Sequence, residues 1–544
     1  MKRCPECRRD YYDDSLLYCL DDGNALLDGP ASVDEPATSI LSEPGADRSP
    51  RAGRPLGVVD ATGFRSGEAK TEIFRNARGD AATETANSIA VLPFVNMSAD
   101  TDNEYFCDGL AEELLNALAK IDDLKVAART ASFSFRGKNA PMNVIGETLN
   151  VNTILEGSVR KAGDRVRITV QLINAADGYH VWSERYDRGM QDIFEVQDEI
   201  TLAVVDALKL KLLGAEKRAV LKKHTNNPEA YQQYLRGRYF FFKRIAGDFL
   251  KAINAFEKAI EIDRDYAVAY SALAECYVFL GFYEMVSPAE AESKLRPYLD
   301  RAVEIDNSLG ETSASSALVK SLYTWDFTGS LVDYDRAIAA DTNYPFVYHL
   351  KSAIVILLGR DEEAFELEKR AIELDPFVAV FNAVLGWWYY LARRNDDAIA
   401  QSHRTIEIAA THFFAYWVQG LAYAEQGSYS DAIISLQKAL ALNQFDQHIR
   451  ADLARVLAMA GEREEALGIL AEFEELSKTQ YVSPVNIAKI HVGLGEREKV
   501  IEQLEKACEE RSVKLPWFLI DPALGGFRDD PRFQDILRRV GLPD

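Results

Sequence analysis

The chain has 544 residues, too many for one apolar core, so several domains are expected. An apolar fraction of 47% supports folded structure, while 62 Lys plus Arg against 85 Asp plus Glu leave a net charge of −23. So acidic a surface repels nucleic-acid phosphates, which argues against a nucleic-acid partner and fits a solvated face or recognition of a basic partner. Only Cys4, Cys7 and Cys19 of the six cysteines cluster, which argues against a disulfide framework and for a reducing cytoplasm. Met1-Lys2-Arg3 has no apolar stretch behind it. The longest near-apolar run, 377–392, is too short at about 1.5 Å per residue for a hydrocarbon core of roughly 30 Å, so no membrane span is expected.

Residues 1–29 contain two knuckle-like turns. Cys4-Pro5-Glu6-Cys7 is a C-x2-C turn, and Cys19-Leu20-Asp21-Asp22 outlines a second with Asp22 in the place of a fourth cysteine. Zinc accepts carboxylate oxygen as well as thiolate. The stretch resembles the short zinc ribbons that open many bacterial multidomain proteins. The expected ligands of a structural Zn2+ are therefore Cys4, Cys7, Cys19 and Asp22, with Asp21 as the alternative to Asp22. No general base accompanies them, so catalytic zinc is not expected. Residues 30–86 are rich in Pro, Gly, Ala, Ser, Asp and Glu and cannot bury enough apolar area to offset ordering entropy; they read as a disordered tether.

Residues 87–213 read as an α/β module with a mixed sheet. A short apolar strand (88–94) precedes a helix with Leu110, Leu114, Leu118 and Ile121 on one face. Val166, Ile168, Val170 and Leu172 alternate with Arg165, Arg167, Thr169 and Gln171, the period of a strand with one buried face. Turns at 162–164 and 177–178 make this strand the centre of a three-stranded meander, and a helix over 192–213 closes the module. His180 and Glu184 share a strand face near Asp187, but charged residues on a solvated face are the ordinary reading. Cys107 reads as packing.

The stretches IAVLPF (89–94), EYFCDGLAEELLNAL (104–118), RTASFSFRGK (129–138) and 154–188 closely match a known bacterial module. They resemble the TolB amino-terminal-like (FlgO-like) domain that precedes tetratricopeptide arrays. In that family the module commonly follows a nucleotide cyclase, a protein kinase or a winged-helix domain. The resemblance implies an accessory part in signalling or assembly and carries no catalytic residues.

Residues 228–512 carry a repeat of 34 residues. Ala364, Ala398, Ala432, Ala466 and Val500 stand one period apart, as do Ala371, Thr405, Ala439, Phe473 and Ala507. Gly359, Gly427, Gly461 and Gly495 mark a turn in each unit. This is the signature of tetratricopeptide helix–turn–helix units, about eight of which stack into an all-α superhelix with residues 513–544 as cap. Stacking leaves a curved groove, the expected seat of a protein or peptide partner. By register, Phe346, Tyr348, Tyr390, Phe414, Trp417 and Gln419 face it. The sequence therefore points to a non-catalytic adaptor, or alternatively to a regulatory subunit of a separately encoded cyclase, kinase or transcription regulator.

Overall fold

The computed structural model describes residues 87–544, apart from 122, 213, 244–245, 341, 445 and 544, together with three two-residue strands nearer the N-terminus. The chain divides into two units, 1–77 and 78–544. In the first, β1 (Lys2–Arg3) pairs antiparallel with both β2 (Asp10–Tyr11) and β3 (Leu27–Asp28). Cys4, Cys7, Cys19, Asp21 and Asp22 lie outside the described residues, as does the expected tether.

The second unit opens with β4 (Ser88–Val91), β5 (Val95–Asn96), α1 (Glu104–Leu118), β6 (Lys125–Val126), α2 (Arg129–Phe133) and α3 (Met142–Leu149). β7 (Thr153–Ala162), β8 (Arg165–Asn174), β9 (His180–Gly189) and α4 (Ile193–Ala207) follow. The strands form a mixed sheet in the order β6-β4-β7-β8-β9, with β5 also on β7. Pairings of β4 are parallel, and the β7–β8–β9 meander is antiparallel. The alternation on β8 is realised: Val166, Ile168, Val170 and Leu172 are buried against α1 and α4, while Arg165 and Arg167 are exposed. On the opposite face, Ala90, Leu92 and Ile154 pack with Ile145 of α3.

Beyond α5 (Gly214–Val220) the chain is helical. Its helices pair as α6 (Pro228–Lys243) with α7 (Ala246–Ile262), α8 (Ala267–Phe282) with α9 (Pro288–Ile305), and α10 (Gly310–Val319) with α11 (Phe327–Ala340). Next come α12 (Pro345–Val355) with α13 (Asp361–Leu374), and α14 (Ala379–Leu391) with α15 (Asn395–Ile408). The last pairs are α16 (Phe413–Glu425) with α17 (Tyr429–Leu442), α18 (Gln447–Met459) with α19 (Arg463–Leu476), and α20 (Pro484–Leu494) with α21 (Arg497–Glu509). The tail holds α22 (Leu515–Leu519), a 3-10 turn (Pro522–Phe527) and α23 (Pro531–Val540).

The periodic small residues are where two helices meet: Ala364, Ala398, Ala432, Ala466 and Val500 are fully buried. Gly359, Gly427, Gly461 and Gly495 all hold positive φ in the turn between paired helices. Trp325 (φ 55°) and Arg393 (φ 61°) complete the same series with the same backbone and no glycine. Two large apolar clusters fill this unit. One joins the module's main face to α6, α7 and α8; the other runs through the remaining hairpins to the tail. The module and first hairpins therefore share a core.

Candidate functional site: the hollow of the helical array

The expected open hollow is occupied by the chain's own tail. Trp517 donates its indole N–H to the carbonyl of Ala353 in α12 (3.1 Å), and its ring lies 6.3 Å from that of Trp387 in α14. Tyr390 donates its hydroxyl hydrogen to Asp521 (2.7 Å). Arg511 donates to the carbonyls of Tyr323 and Thr324, and Arg497 to that of Gly526. Across the same space, Asn486 of α20 donates to Glu284 in the α8–α9 turn (2.8 Å). Trp517, Phe518, Leu519, Pro522 and Leu524 are buried by these contacts. At roughly 1.5–3 kcal/mol for each large apolar side chain removed from water, this covering is core packing and not a loose lid.

Beneath the tail lies a buried charge cluster. Asp452 accepts from Lys489 (2.7 Å), the Trp417 indole (2.9 Å) and Arg455 Nε (3.3 Å). Burial opposes its charge, but Lys489 and Arg455 outweigh that and hold the carboxyl below its ordinary range. His448 is kept neutral, first by burial and then by Lys489, and its Nε2 accepts from Lys489 Nζ at 2.8 Å. Burial raises the Asp521 carboxyl, although Arg455 opposes it. Lys489 and Trp417 reach Asp452 from other helices, and Arg455 Nε reaches it from one turn along the same helix; Arg455 Nη1 and Nη2 make no hydrogen bond, Nη1 lying 4.0 Å from Glu425. The cluster pins helices together, its charges answering one another across the helix contacts. Its signal was in the register. Trp387, Leu421, Arg455 and Lys489 stand one period apart, so the last two units put cations where earlier ones put apolar groups.

The six residues predicted to face a partner separate under this geometry. Tyr390 and Trp417 are buried against the tail and the charge cluster. Gln419 is buried between helices, accepting from Ser435 (3.1 Å). Phe346, Tyr348 and Phe414 stay half-buried; Phe346 packs on His349 and Phe381, and Phe414 on Trp387 and Trp417. Tyr390 is taken up by Asp521 of the tail, whereas Trp417 is turned to Asp452 and Gln419 to Ser435 of neighbouring helices, so these three are not free to meet a partner.

A second charged junction fixes the module to the array. Glu112 of α1, buried, accepts from Arg129 Nε of α2 (2.8 Å) and Arg238 Nη2 of α6 (2.6 Å). Burial opposes its ionisation, but the two guanidinium groups hold the carboxyl below its ordinary value. Gly109 lets α1 approach α6 closely, since a Cβ there would stand 2.7 Å from Leu235. On the meander, Asp187 bonds Arg165 and Arg167, and Glu184 accepts from Tyr186, so these acids sit in surface pairs with His180 apart from them. Cys107 is fully buried, its thiol pushed up to about 12 by burial. Among the described residues no group of three or more His, Cys, Asp or Glu is placed to hold a metal ion, and no helix is long and apolar enough to cross a membrane.

Comparison with known proteins divides the chain at the same place. Residues 85–203 match the family model of the HilA/YgeH-like transcriptional regulator second domain, and 244–266 and 415–446 match a tetratricopeptide repeat model. A Rhizobium meliloti protein named "Putative adenylate cyclase 3" is 41% identical over 187 residues, which is 34% of this chain and 32% of that one. "Transcriptional regulator HilA" of Salmonella typhimurium is 24% identical over 179 residues, 32% of this chain and 31% of that one. The matched stretch thus spans about a third of the length of each of these relatives. Among solved structures, "YrrB: a TPR protein with an unusual peptide-binding site" is 20% identical, covering 35% of this chain and 93% of that one at a TM-score of 0.25. The helical region is of the tetratricopeptide type.

Proposed function

We propose that this tetratricopeptide repeat chain is a non-catalytic protein-binding scaffold of the bacterial cytoplasm. One observation carries the reading: the buried ionisable clusters at Glu112 and Asp452 are consumed in joining helices, so charge is spent on a rigid frame and not on a reactive centre. Such a frame presents its partners with outer helical surface and with the half-buried Phe346, Tyr348 and Phe414. Affinity capture with the full chain tests it. A partner that co-purifies reproducibly supports the scaffold, and no specific partner under several growth conditions sinks it.

A second reading rests on the module. Its likeness to part of a cyclase-named protein and to a regulator's second domain favours a regulatory subunit acting with a separately encoded cyclase or transcription regulator. The same elements carry the FlgO-like resemblance. Thermal melting of the full chain with a nucleotide panel separates the readings, because a ligand bound to the native state raises its melting temperature. For the N-terminus we propose one structural Zn2+ on Cys4, Cys7, Cys19 and Asp22. Metal analysis of the purified chain giving near one zinc per chain supports this, and near zero removes it.

A further inference from the structure

We propose that the outer groove between α6 and α7 is the docking site for an acidic protein segment carrying an apolar residue; this deepens the scaffold reading and rests on it. The groove, about 290 Å³, is lined from α6 by Gln233, Arg236 and Phe240, and from α7 by Leu250, Lys251 and Lys258 among others. Positions 233, 236 and 240 fall on one stripe of α6, and 250, 254 and 258 on one stripe of α7, so two helical faces converge on the same space. Leu250 is 65% exposed, a large aliphatic group with no apolar cover.

Charge decides the partner. In a chain of net charge −23, Arg236, Lys243 and Lys258 form no ion pair with any described residue, and Lys251 is paired only within its own helix, to Asp248. Arg236, Lys243 and Lys251 instead lie over the Phe240 ring at 5.9, 5.6 and 5.3 Å. These cations surround an apolar floor of Phe240 and Leu250. A segment with carboxylates on either side of an aliphatic or aromatic residue answers both features: its apolar side chain covers Leu250 while its acids meet Arg236 and Lys258. A nucleic acid is disfavoured, because its continuous phosphate charge would run past this short patch onto acidic surface.

The test uses the full chain and a fluorescein-labelled eight-residue peptide with a central Leu-Phe pair flanked by three carboxylates on each side. Saturable binding, weakened at least tenfold by R236E/K258E and by L250D, is the expected result. K294E/K499E, which reverses exposed cations elsewhere, should leave it within twofold. Absence of binding, equal binding by the groove variants, or tighter binding of oligo(U) than of the peptide overturns the proposal. The variants are at exposed positions, and circular dichroism confirms their folding. If partners captured by the full chain are retained unchanged by R236E/K258E, the groove assignment falls while the scaffold stands. If the peptide binds as expected and no partner is ever captured, the scaffold falls and takes the groove's role as a docking site with it, leaving only its affinity for acidic, apolar peptide.

Discussion

Tyr390 and Asp521 are 131 residues apart in sequence, yet the tyrosine hydroxyl donates to the carboxylate at 2.7 Å in the buried centre of the array. The bond ties the fifth hairpin to the tail. Tyr390→Phe removes the donor and leaves Asp521 in place without it. A loss of about 0.5–1.5 kcal/mol in urea unfolding is expected, the worth of one buried hydrogen bond, since Asp521 Oδ1 keeps the Ala523 N–H at 2.8 Å. A loss near zero would mean that the tail is not seated as described.

Trp517→Ala should cost more, about 3–5 kcal/mol, because it deletes a large buried ring as well as the N–H donated to Ala353. Loss of Trp517 also lets water reach Trp387, so the remaining tryptophan emission should shift to the red. Unchanged stability and emission would count against a filled hollow.

Glu112 makes the junction between module and array sensitive to acid. Its folded pKa is depressed, so its stabilising contribution is present above the ordinary carboxylate pKa of about 4.3 and is lost as pH falls through the folded value. Glu112→Gln strands two partly buried guanidinium groups and should cost about 3 kcal/mol at pH 7, with a smaller difference from the parent at pH 3. Chemical unfolding at both values checks this.

Asp375 works in the opposite sense. Burial pushes its carboxyl up to about 7 from the usual 3.8, so the fold favours the protonated acid. That contribution is full below about pH 4, declines as pH rises towards 7 and is absent above. Asp375→Asn should flatten this slope and stabilise the chain at pH 8 relative to the parent by about 2–4 kcal/mol, with little change at pH 4. Parallel pH profiles for the two proteins would refute the assignment.

Arg393 occupies the left-handed turn position that glycine holds one period to either side, at Gly359 and Gly427. A side chain there costs roughly 1–2 kcal/mol of backbone strain. Arg393 is exposed, so Arg393→Gly gives up little packing and should raise stability by about 1 kcal/mol, read as an upward shift in Tm. A destabilised variant would show that its guanidinium group, which lies against Gly525, matters more than the backbone.

The helical hairpins and the β8 alternation were legible because each rests on short-range repetition: 34-residue spacing places small residues at helix crossings, and a period of two places Val166 to Leu172 on one face. The turn at Arg393 was not, since conformation there is imposed by the helices on either side and not by residue type. Where the tail goes was also beyond the sequence. Nothing local in 513–544 says which helices receive Trp517 and Asp521, because that depends on how far the stacked hairpins curve before the chain ends. The sequence by itself determined that helix pairs would stack beside a mixed-sheet module. Only the tertiary structure decided that the resulting hollow is filled, since a contact made across more than a hundred residues is governed by superhelical curvature, which no single repeat contains.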